Sequence, residues 1–325
     1  MTPRTVDVPS LVAQAREGRS RAVARLISLV EDGHPALPEV MAALAPHSGG
    51  AHVVGLTGSP GVGKSTTTAA LITALRGQGK RVAVLAVDPS SPFSGGALLG
   101  DRIRMEQHAT DPGVFIRSVA SRGHLGGLSF ATPQALRVLD AAGFDVVLLE
   151  TVGVGQSEVE VAARADTTVV IVAPGMGDGI QAAKAGILEI GDVFVVNKAD
   201  RDGADDTVRD LRHMIQLGNR ERTVDWRTPV VRTVASRADG IPELVDSLAA
   251  HRKWLMESGA LAERRRRRAQ AEIEAIALAT LRRRLGGEGG LVSEDLAAAV
   301  AAGTTDVYAA AHQVVGAVTT GTEPH

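Results

Sequence analysis

"GSPGVGKST", Gly58 to Thr66, follows the apolar run "HVVGLT" and opens a stretch with helical character. That strand–loop–helix context is what a phosphate-binding loop requires. Gly58, Gly61 and Gly63 let backbone N–H groups close around phosphate oxygens without a Cβ in the way. Ser59, Pro60, Val62 and Thr66 complete the loop. Lys64 brings a positive charge to terminal phosphates, and Ser65 offers a hydroxyl to Mg²⁺. The stretch predicts a site for a nucleoside triphosphate.

Around it the chain alternates short β-branched runs with helical segments. The runs are "HVVGLTG", "RVAVLAVD", "VFIRSV", "DVVLLET", "TTVVIVAP", "VFVVNKAD" and "PVVRTVA". Nearly continuous apolar strands separated by helices predict an α/β fold with a mostly parallel central sheet covered on both faces. Residues 1–46 read as a helical N-terminal extension, with Ser10 as a candidate N-cap. The nucleotide domain spans 47–250. Residues 251–325, rich in Ala, Arg, Glu and Leu, read as a helical arm. One long helix from near Pro242 to Leu285 is expected, then a "GGEGG" break and a shorter pair. Ile273, Ile276, Leu281 and Leu285 form an apolar series beside five consecutive arginines, Arg264–Arg268, which predicts a homodimer through this arm. The arginines themselves read as a solvated face, with a bridge between subunits or an acidic partner left open.

"NKAD", residues 197–200, ends a later strand and selects the base. Guanine presents N1–H and a 2-amino group on one edge, and the two oxygens of Asp200 can accept both; adenine has no such pair. Asn197 and Lys198 would brace the base and the phosphate loop. In "TVASR" the Ala235 N–H, next to Ser236, is placed to meet guanine O6; Val234 stands where other GTPases have Ser. "VVLLETVGVGQSE" ends a buried strand on Glu150, the position from which an acid holds the nucleotide's Mg²⁺, and its length favours ligation through water. The Gly153 N–H can sense the γ-phosphate. Asp88 ends the second strand, and the Ser/Gly-rich loop beyond it carries Asp101, Arg102 and Arg104, the expected first switch. Asp178 and Lys184 lie on a Gly-rich connection, where a helix cap and a partner-sensing role are both open.

Composition narrows the remaining classes. The 325 residues are 44% hydrophobic and 22% charged, those of a soluble globular protein. Aromatics at 2% argue against a base-stacking RNA surface, and a net charge of −2 gives no drive towards nucleic acid or anionic membrane. The absence of cysteine removes disulfides and thiolate metal sites, and the nine histidines are scattered. With neither a signal-like N-terminus nor a spanning apolar stretch, a cytoplasmic location is expected.

In order along the chain, "GSPGVGKST", "VDPSS", "GGALLGDRIRM", "VFIRSVASRGHLGGL", "ETVGVGQSE" and "NKAD" resemble the methylmalonyl-CoA mutase-associated GTPases, the MeaB or ArgK-like family. The likeness runs from about residue 50 to 250 and more loosely over both ends. It implies a P-loop G domain, a helical N-terminal extension and a C-terminal dimerisation arm. It further implies a GTPase, slow by itself, that gates adenosylcobalamin loading of an acyl-CoA mutase and protects that mutase. A cobalamin adenosyltransferase would be a second partner, and GTP/GDP and Mg²⁺ the cofactors. Matched by motif, Asp88, Asp101 and Glu150 would surround Mg²⁺ and the γ-phosphate; "GMGDGIQAAK", with Asp178, Gln181 and Lys184, would be a third switch. "SPF" at Ser91–Phe93 and Val234 depart from the family pattern. A nickel-inserting GTPase would want Cys or His clusters, and a small-molecule kinase an adenine site.

Overall fold

Each of the seven β-branched runs forms a strand: β1 (His52–Thr57), β2 (Val82–Pro89), β3 (Val114–Ser121), β4 (Val146–Thr151), β5 (Thr167–Val172), β6 (Val193–Asn197) and β7 (Val230–Thr233). They pair in the order β3-β2-β4-β1-β5-β6-β7, every pair parallel. The computed structural model describes residues 6–89, 108, 110–121, 131–151, 157–175, 187–219, 226–285 and 291–320.

The helices follow the strands: α1 (Val8–Arg16), α2 (Ser20–Glu31), α3 (Leu37–Leu44), α4 (Lys64–Gly77), α5 (Ala131–Ala141), α6 (Ser157–Arg164), α7 (Ile187–Ile190), α8 (Ala204–Asn219), α9 (Ile241–Glu257), α10 (Ala260–Leu285), α11 (Glu294–Ala301) and α12 (Val307–Thr320). Because side chains alternate across a strand, each apolar run feeds two cores. In β2, Val82 and Val84 join the layer under α4 and α9, while Ala83, Leu85 and Val87 join the layer of α1 to α3, α5 and α6. Leu26, Ile27 and Leu29 of α2 are fully buried in that second layer, each contributing roughly 1.5–3 kcal/mol by burial. The N-terminal helices therefore share a core with the sheet.

Two local expectations are corrected. The cap of α1 is Asp7, whose carboxylate accepts the Ser10 N–H at 3.1 Å; Ser10 lies inside the helix because Pro9, with its fixed φ, suits the first turn. The long helix expected from Pro242 to Leu285 is two helices. α9 ends at Glu257 with Ser258 as its C-cap, and Gly259, at φ +74°, turns the chain into α10.

The chain divides into two compact units, Met1–Arg264 and Arg265–His325. In the first, α9 carries beyond residue 250 with His251 and Leu255 buried. In the second, α11 is capped by Ser293, whose Oγ accepts the Leu296 N–H at 3.2 Å. Among the described residues no helix is long and apolar enough to cross a membrane.

Candidate nucleotide site

β1 lies between β4 and β5, so the phosphate-binding loop leaves the middle of the sheet at its carboxyl edge. Close packing fixes how it leaves. Gly58 has φ +143°, and a Cβ there would stand 2.1 Å from the Ile171 carbonyl of β5, so only glycine passes. Val62 is buried beneath the loop, while Pro60 and Gly61 form an exposed crest. Ser59 and Thr66 are partly buried. α4 then starts at Lys64 with its N-terminus towards the loop, where the first-turn backbone N–H groups and the helix dipole favour an anion.

Four charged or polar side chains, Lys64, Ser65, Thr68 and Glu150, are buried below the loop. Lys64 is 8% exposed, and its Nζ donates to the carbonyls of Gly58 at 2.8 Å and Ser59 at 3.2 Å. Glu150, 2% exposed, is aligned with Leu56 of β1 by the β1–β4 register. Its Oε1 accepts the Ser65 hydroxyl at 2.8 Å and its Oε2 the Thr68 hydroxyl at 2.8 Å. Ser65 and Thr68 are three residues apart and so share one face of α4. Thr68 escaped the sequence reading, although that spacing was a usable signal. The oxygens of Ser65 and Glu150 make the hard donor set that Mg²⁺ takes. Asp88 stands in β2 in register with Ala120. Asp101, Arg104, Gly153, Asp178, Gln181 and Lys184 lie outside the described residues.

Asn197 ties the loop to the base-reading elements. It is 3% exposed; its Nδ2 donates to the Val62 carbonyl at 2.8 Å, and its Oδ1 accepts the Thr233 hydroxyl and the Ala235 N–H, each at 3.1 Å. A Cβ on Gly63 would stand 2.4 Å from that Nδ2, so the third loop glycine is required by the amide behind it. Lys198 holds the crest from above, donating from Nζ to the Gly61 carbonyl at 2.6 Å. Asp200 is exposed and stands 3.5 Å from Arg237. The Ala235 N–H, the group placed to meet guanine O6, donates here to Asn197, and a base carbonyl must share that bond or displace it. Ser236 beside it is exposed.

A second buried polar cluster lies at the opposite, amino ends of the strands. His52 Nε2 lies 2.7 Å from the Thr167 hydroxyl, which lies 2.8 Å from His251 Nδ1. His251 is fully buried, with Trp226 and Trp254 against its ring at centroid distances of 4.7 and 5.6 Å. Burial pushes its pKa down to about 4, opposed by Asp192 and assisted by Arg264. Asp192 receives the Arg264 guanidinium on both oxygens, at 2.8 and 2.9 Å, and Arg264 also donates to the Asp166 carbonyl at 2.8 Å. The first of the five arginines is thus an anchor within the sheet unit. The solvated-face reading fails for it because its partner lies 72 residues away.

This arrangement belongs with a known group of proteins. A family model described as methylmalonyl-CoA mutase-associated GTPase MeaB matches residues 23–288. The chain belongs to the MeaB family. A Pyrococcus abyssi protein assigned as a GTPase is 51% identical over 83% of this chain and 83% of its own length. GTPase ArgK of Escherichia coli is 39% identical over 77% of each chain. The crystal structure of a LAO/AO transport system kinase superposes with a TM-score of 0.69 at 28% identity, covering 97% of this chain and all of the other. The MeaB-family chain therefore has the P-loop GTPase fold, and the loop, Glu150 and "NKAD" stand at the carboxyl edge of its sheet, where doubly wound folds bind ligands.

Proposed function

We propose that this chain binds and hydrolyses GTP and acts as a G-protein chaperone, gating adenosylcobalamin loading of an acyl-CoA mutase and protecting that mutase. Asn197 carries the reading: one buried amide joins the phosphate loop at Val62 to the base-reading elements at Thr233 and Ala235. A guanine nucleotide needs both at once.

Lys64 would leave the loop carbonyls for the terminal phosphates, a shift between acceptors within one side chain's reach. Ser65 and Glu150 would hold Mg²⁺, with Asp88 and Asp101 as further oxygen donors. When bound, Mg²⁺ neutralises charge on the β- and γ-phosphates. The Gly153 N–H would meet the γ-phosphate, and Asp200 the guanine edge. Gln156, three residues beyond Gly153, is a weak water-orienting group, so intrinsic hydrolysis is slow. The partner raises the rate by acting through Arg104, Asp178, Gln181 and Lys184, so that charge in the transition state is stabilised. The description of the matching family, methylmalonyl-CoA mutase-associated GTPase, supports a mutase partner; a cobalamin adenosyltransferase is a second.

The three-part organisation, with a G domain at 47–250 and a dimerisation arm at 251–325, goes with this reading, as does a cytoplasmic homodimer. Ile273, Ile276 and Leu281 are 68%, 41% and 38% exposed in the single chain, apolar surface that a second copy would cover. Competition between GTP and ATP in the presence of Mg²⁺ tests the base. A preference on the order of 10⁴-fold is expected where a carboxylate, covered by the bound base, reads two donors. Equal binding would overturn the assignment, and Asp200→Asn should move the preference towards xanthosine triphosphate. Capture of a cobalamin-dependent mutase with one nucleotide state and not the other tests the partner.

A further inference from the structure

The loop after β7 is unusually constrained. Val234 N–H donates to the Asp239 carbonyl at 3.0 Å and Arg237 N–H returns to the Val234 carbonyl at 2.9 Å, closing a tight ring. Ala238 within it has φ +60°, and Gly240, at φ +73°, leaves no room for a Cβ, which would stand 1.9 Å from the Arg232 carbonyl. Among the described residues Ala238 and Lys198 are the non-glycine residues with positive φ. Both flank the base-reading residues, and strain of this kind persists where surrounding structure over-determines it. Lys198 precedes Asp200 by two residues, and Ala238 follows Arg237 directly.

The two strained loops bring three charges into a row. Arg237 Nε donates to Asp239 Oδ2 at 2.9 Å, and Arg237 NH1 lies 3.5 Å from Asp200 Oδ2. These side chains are 57%, 58% and 42% exposed, so the pairs contribute little to stability. Their effect falls on the orientation of Asp200. A guanidinium held by Asp239 gives one Asp200 oxygen a fixed positive neighbour. At 3.5 Å that contact is too long for a strong hydrogen bond, so the oxygen keeps its capacity to accept.

We propose that Arg237 is a positioning residue for base specificity: held by Asp239, it sets the plane of the Asp200 carboxylate so that both oxygens face donors on the purine edge. The inference rests on the guanine reading above and deepens it. Reading one donor needs one oxygen in place, and most rotations of the carboxylate supply that. Reading N1–H and the 2-amino group together needs the whole plane fixed. Arg237 therefore matters for discrimination between guanine and hypoxanthine, which lacks the 2-amino group.

The test is equilibrium binding of GTP and inosine triphosphate to the full chain with Mg²⁺, in wild type, Arg237→Ala, Arg237→Lys and Asp239→Asn, with a thermal melt of each. Arg237→Ala should weaken GTP about tenfold and inosine triphosphate about twofold, so that the ratio falls about fivefold. Arg237→Lys keeps the charge but replaces the planar fork with a flexible point charge, and it should fall between. Asp239→Asn should move the ratio in the same direction. Equal losses for both nucleotides, or an unchanged ratio in Arg237→Ala, would overturn the inference and leave the guanine reading intact. A wild type that binds the two nucleotides equally would instead remove the paired-acceptor role of Asp200, and the inference with it.

Discussion

The two ends of the sheet bury polar groups in different ways. At the carboxyl edge, Lys64 is met by backbone carbonyls and Glu150 by two hydroxyls. A phosphate or a cation can take the place of each of these contacts. At the amino edge, Asp192 holds a guanidinium on both oxygens and the neighbouring imidazole is walled in by indoles. There the counter-charge is built in. Contacts that an incoming phosphate or cation can replace mark a site that receives a ligand, whereas a carboxylate held on both oxygens by a guanidinium holds the fold together. Substitutions at the two ends should accordingly separate activity from stability.

The largest expected effect is at the carboxyl edge. Lys64→Ala should lower single-turnover GTP hydrolysis on the order of 10³-fold, the loss of a charge aimed at the transition state, with little change in the unfolding midpoint. A large drop in stability with hydrolysis kept would reverse the comparison. Next, Asp192→Ala should destabilise the protein by about 3 kcal/mol in urea titrations, because it strands Arg264 without its carboxylate; nucleotide affinity should hold within a few-fold.

A pH series sharpens the amino edge further. His251 binds its proton with a pKa of about 4 when folded and near 6.5 when unfolded. The unfolded state therefore takes up more protons between these values, and stability is full above pH 6.5 and declines as pH falls towards 4. The loss approaches about 3 kcal/mol at the bottom of that window. His251→Gln should flatten this slope, and an unchanged slope would assign it to other groups. The smallest effect is expected for Arg264→Lys, which keeps the charge but loses the fork, at about 1 kcal/mol, reduced by the partial exposure of that side chain.

What the sequence made legible follows from how local each signal is. The phosphate loop declares itself within nine residues, because glycines, Lys64 and Ser65 must act on one ligand. Glu150 could be read from a buried strand ending in an acid, and the parallel sheet from seven apolar runs separated by helices. "NKAD" was legible as a motif, but the engagement of the Ala235 N–H by Asn197 was not, since it depends on how two strand ends meet. The amino-edge cluster joins residues 84 and 115 apart through Thr167, and no short-range pattern announces it. The break at Ser258–Gly259 was missed because a single glycine in a helical pattern is usually tolerated, and here its positive φ ends one helix and begins the next.

The placement of the aromatic pair has an optical consequence. The chain has two tryptophans, and both lie at the amino edge, 5.7 Å apart and against the same imidazole. The phosphate loop stands beyond the far end of β1, a strand of six residues that spans about 20 Å. All indole emission therefore originates at one spot, beside a group whose protonation quenches it and away from the bound nucleotide. Indole fluorescence is then a gauge of the amino-edge cluster around His251, and a fluorescent guanine nucleotide observed in the same cuvette reads the opposite edge.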